Sequence, residues 1–80
     1  KERPDLESPY LAYGLHLGRQ GQLSLAAEVL ERGLRAAPSP ALAYNLAVAK
    51  AMTGDINSAL VLFERTLAME PGHREARENY

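Results

Sequence analysis

The sequence predicts an all-α protein, an α-solenoid of antiparallel helix hairpins, on three observations. Apolar residues recur at helical spacing in four segments. Glycine or proline punctuates each gap between them, and the second pair of segments repeats the first at a fixed offset. A two-helix unit that recurs in this way buries its apolar face against the next unit.

Residues 1–7, KERPDLE, are charged, aperiodic and interrupted by a proline, which predicts a linker or frayed N-terminus. The first helix is expected to start at Ser8-Pro9, a capping hydroxyl followed by a proline where a missing N–H does no harm. It carries Leu11, Leu15 and Leu17 to about Gln20 and stops at Gly21, a left-handed terminator. The second is expected over Ser24 to Ala36, closed by Pro38, because proline disfavours helical geometry in the residue before it. Ser39-Pro40 opens the third, with Leu42, Leu46 and Ala49, which runs to about Thr53 and stops at Gly54. The fourth spans Asn57 to Met69 and ends before Pro71. The remaining GHREARENY would open a further helix.

The period follows from paired anchors. SPYLAYGL at residues 8–15 and SPALAYNL at 39–46 are offset by 31. Gly21 and Gly54, Ala26 and Ala59, Leu30 and Phe63, Leu34 and Leu67, and Pro38 and Pro71 are all offset by 33. The bodies of the units therefore share one register of 33, and the two leading helices are expected to differ in length at their start. Repeats are assigned to residues 8–38 and 39–71, with 72–80 as the start of a third repeat or a capping helix.

At these residues the chain resembles the tetratricopeptide repeat (TPR) family. The first unit supplies Tyr10, Tyr13, Gly14, Leu17, Gly21, Leu23, Ala26, Leu30, Leu34 and Pro38 at the positions of the family pattern. The second supplies Leu46, Ala47, Gly54, Ile56, Ala59, Phe63, Leu67 and Pro71. Gly14, Ala47, Ala26 and Ala59 are small where helix backbones must approach closely, since larger residues would cost about 1–3 kcal/mol in overpacking. Three residues depart from the pattern: Gly33 stands where alanine is usual, Lys50 where an aromatic is, and His16 where a small residue is. Mid-helix, Gly33 costs about 0.5–1 kcal/mol in propensity.

Composition narrows the function. A chain of 80 residues buries only about 60% of its unfolded surface, so the core is thin. The longest apolar stretch, Ala41 to Met52, is broken by Asn45 and Lys50 and is too short to span a bilayer. Nine Lys and Arg against ten Asp and Glu, interspersed, leave no basic nucleic-acid footprint. The absence of cysteine excludes disulfides and thiolate metal sites and suits either a reducing or an oxidising compartment. With Lys1 first and Tyr80 inside an expected helix, the chain reads as a soluble cytoplasmic or periplasmic segment of a longer protein.

No catalytic constellation is legible. His16 has no carboxylate three or four residues away and reads as a packed or half-exposed structural histidine; His73 sits in a Pro-Gly loop. GLHLGRQG lacks the Lys-Ser/Thr and the leading strand of a phosphate loop, so Gly14 and Gly18 read as helix-contact positions. Glu28 with Arg32 and Glu31 with Arg35 form the i, i+4 pairs of a solvated face. The expectation is a non-enzyme with no cofactor and no metal.

The resemblance implies that a peptide or partner helix lies in a concave groove lined by the leading helices. The inward positions are Leu11, Leu15 and Arg19 from the first unit and Tyr44, Asn45, Val48 and Met52 from the second. One branch of the family grips a C-terminal carboxylate; at the matching positions this chain has Leu11, Leu15, Asn45, Glu75 and Asn79, and the required cations are absent. An apolar, Met-bearing groove suits an amphipathic helix or an extended apolar segment instead. The alternatives are self-association as a scaffold or homo-oligomer, or a regulatory appendage of a larger protein. RNA reading by a pentatricopeptide-like array would need a basic groove.

Overall fold

The computed structural model describes residues 7–72, with side chains from Pro9 onward. Four helices follow one another: α1 (Glu7–Arg19), α2 (Leu23–Ala36), α3 (Pro40–Met52) and α4 (Ile56–Met69). The fold is all-α, with no strand among the described residues, and none of their helices is long and apolar enough to cross a membrane. Of the lead-in expected over residues 1–7, Glu7 is helical; the rest of it and the third helix after Gly72, with His73, Glu75 and Asn79, lie outside the described residues.

Arg19 to Met52, Leu23 to Ile56 and Ala36 to Met69 are all steps of 33; the described residues begin at Glu7, so the expected difference between the starts of the leading helices lies outside them. The offset of 31 arises because Ser8-Pro9 lies within α1, whereas Ser39 is the N-cap of α3 and its Oγ accepts a hydrogen bond from Leu42 N at 3.1 Å. Ser8 is therefore not a cap, and Glu7 belongs to the helix. Helices α2 and α4 each begin one residue before the expected Ser24 and Asn57, with Gln22 and Asp55 at the cap positions.

The two hairpin turns are built alike. Gln22 N donates to Leu17 O (2.9 Å) and Gly21 N to Gly18 O (3.0 Å); Asp55 N donates to Lys50 O (2.9 Å) and Gly54 N to Ala51 O (3.0 Å). This is the paired closure that requires a left-handed residue just past the helix. Gly21 and Gly54 occupy it at φ 81° and 94°.

Each helix packs on its neighbours in sequence, α1 also touches α3, and α1 and α4 share no extensive contact. With loops of three residues the successive helices reverse direction, which gives two helix hairpins in a repeat-like arrangement. The shortest dimension is 18 Å, about two helix diameters.

The core centres on α3, where Leu42, Ala43, Leu46 and Ala47 are almost wholly buried, joined by Leu30 and Leu34 of α2 and by Ala59, Leu62 and Phe63 of α4. Small residues set the spacing. A Cβ on Gly14 would lie 2.6 Å from Leu30 Cγ, and one on Gly33 would lie 2.5 Å from Tyr10 Cβ and 3.3 Å from Leu42 Cδ2. Gly33, a propensity cost when α2 is considered alone, is thus the point where α1 and α3 close onto α2. His16 is exposed on α1 rather than packed.

Candidate functional site

The groove begins with helical spacing. Leu11, Leu15 and Gly18 share one face of α1, and Asn45, Val48 and Met52 share one face of α3. Packing α1 beside α3 across α2 brings the two faces together. The result is a groove of about 210 Å³ lined by Leu15, Gly18 and Arg19 of α1, Leu23 of α2, and Val48 and Met52 of α3. Asn45 reaches it too, its Nδ2 donating to Ala41 O at 2.8 Å, which anchors the amide to its own helix.

Five of the seven expected positions, Leu15, Arg19, Asn45, Val48 and Met52, therefore meet at one site. Leu15 is 38% exposed and Met52 63%, so both present apolar surface to solvent. Leu11 and Tyr44 do not line this groove; the Tyr44 ring stands 5.9 Å from that of Phe63 at an interplanar angle of 52°. Tyr44 braces α3 on α4 instead of lining the groove.

Among the lining residues outside the expected set, Gly18 and Leu23 shape the opening. Gly18, expected at a helix contact, has nothing within 4 Å of where a Cβ would stand, so its missing side chain leaves the groove open. Its spacing of three from Leu15 was the available signal. Leu23 enters from the start of α2, an element the mapping of leading helices did not include.

A second groove, of about 660 Å³, lies between α2 and α4 over a different side of α3. The Glu28–Arg32 and Glu31–Arg35 pairs form as expected, at 3.4 and 3.7 Å, on the solvated side of α2. On α4, Ile56 and Leu60 leave apolar surface exposed one turn apart. No group of three or more metal-ligating side chains occurs among the described residues. No family model, curated protein or solved structure matches this chain.

Proposed function

We propose that the chain is a non-catalytic protein-interaction module, two TPR-like repeats that hold an apolar or amphipathic partner segment in the groove between α1 and α3. The observation that carries this is the convergence of Leu15, Leu23, Val48 and Met52 around the gap left by Gly18. Open to solvent and lined mainly by apolar side chains, the groove suits the anchoring side chains of a docked segment. Methionine and leucine at the rim adapt to varied apolar partners. The common register of 33, the matching turn closures and the small residues at the helix contacts all favour the repeat reading.

Peptide-display selection against the chain tests it. Enriched peptides should be apolar or amphipathic, and Leu15→Glu or Val48→Glu should weaken their binding at least ~10-fold while Glu28→Ala does little. Tyr44→Ala is a poor probe, since it would remove the Phe63 contact. If the selected peptides ignored both groove substitutions, the site would be wrongly placed. Self-association is the second reading, favoured by the exposed Ile56 and Leu60 on α4. Light scattering of wild type and Leu60→Glu distinguishes it.

A further inference from the structure

We propose that the groove between α2 and α4 is a second docking surface, one that takes an acidic protein segment bearing apolar side chains. Its floor is Leu34, Leu46 and Leu62, all buried, and among the described residues three cations line it, Arg35, Lys50 and Arg65, against one carboxylate, Glu31. Because the whole chain carries a net charge of −1, this positive excess is local.

Lys50 is the telling residue. It is the single charge in α3, PALAYNLAVAKAM, and it is half-buried. A lysine in that position lays its methylene stem along apolar surface and delivers the ammonium to the groove. Neither Lys50 nor Arg65 makes an ion pair within 4 Å among the described residues, and Arg35 meets Glu31 only at 3.7 Å, with both side chains at least half exposed. Asp55 is the nearby counter-charge. Its carboxyl is held below its ordinary value of 3.8 by hydrogen bonds from Ser58 and, as a lesser influence, by the charge of Lys50.

Charge complementarity selects the occupant. Carboxylates of a bound segment would meet the three cations, and its apolar side chains would cover the leucine floor that a small anion leaves wet. Among the described residues no aromatic side chain lines the groove to stack a base, which disfavours single-stranded nucleic acid. This surface is separate from the α1–α3 groove: Leu46 and Lys50 share one side of α3, while Asn45, Val48 and Met52 share another.

The test is a titration of the 15N-labelled chain with a short synthetic peptide carrying glutamates on either side of a pair of leucines, beside its lysine-for-glutamate counterpart. The acidic peptide should shift amides around Arg35, Lys50 and Arg65, and the basic one should not. Affinity should fall as sodium chloride is added. Arg35→Glu with Arg65→Glu should weaken binding at least ~10-fold with circular dichroism unchanged, and Lys50→Met, which keeps the apolar stem, should also weaken it. The proposal is overturned if neither peptide binds, if both bind equally, or if sodium phosphate or oligouridine alone gives the same shifts. Shifts at Leu15, Val48 and Met52 instead would overturn it and speak for the other groove.

Discussion

Gly33 and Gly18 are both glycines inside helices, yet their neighbours give them opposite roles. The Cβ of Gly33→Ala would land on Tyr10 Cβ, an atom tied to the backbone of α1, so relief requires moving a helix. Overpacking of about 1–3 kcal/mol should exceed the propensity gain of about 0.5–1 kcal/mol. Gly18→Ala points its methyl into open space and should stabilise by about 0.5–1 kcal/mol. Urea denaturation followed by circular dichroism should show midpoints moving in opposite directions. Neither role is legible in the sequence: Gly33 and Tyr10 are far apart along the chain, and Gly18 has the same local surroundings as a contact glycine. Thr66 is a similar case. It is fully buried, and only the fold shows its hydroxyl donating back to Leu62 O at 2.9 Å.

Helix number, order and ends were largely legible because capping and stop chemistry is local. Pro40, Gly21, Gly54 and the residues before Pro38 and Pro71 mark boundaries that the structure keeps to within a residue. Ser8-Pro9 does not open α1, which already includes Glu7, because a Ser-Pro pair reads alike at a cap and within a helix. Asp55 was passed over, although it caps α4, its Oδ1 accepting from Ser58 N at 3.2 Å. Its folded carboxyl is depressed below the ordinary 3.8. The cap's contribution is therefore present above that value and lost as pH falls through the folded one. Asp55→Asn keeps a capping oxygen without the titration. Acid unfolding monitored by ellipticity should show near wild-type stability at neutral pH and a shallower loss below about pH 4.

At the scale of the whole molecule, α3 touches all three other helices and holds the most buried side chains. Amide hydrogen exchange should be slowest in α3, around Leu42 to Ala47, and faster in the last turns of α1 and α4. Equal protection in all four helices would contradict this central role. The leading-helix positions expected in the α1–α3 groove came from the family resemblance, and five of the seven line it. The contribution of Leu23, and the meeting of Arg35, Lys50 and Arg65, needed the third dimension, since those residues come from separate helices. The α1–α3 groove also sits at the end of the molecule where the last turns of α1 and α3 run into the two glycine turns. Its two jaws are thus gauged like a caliper by a pair of left-handed backbone angles. Anything that forces Gly21 or Gly54 out of that geometry should alter how tightly the jaws grip, without touching a single residue that faces the guest.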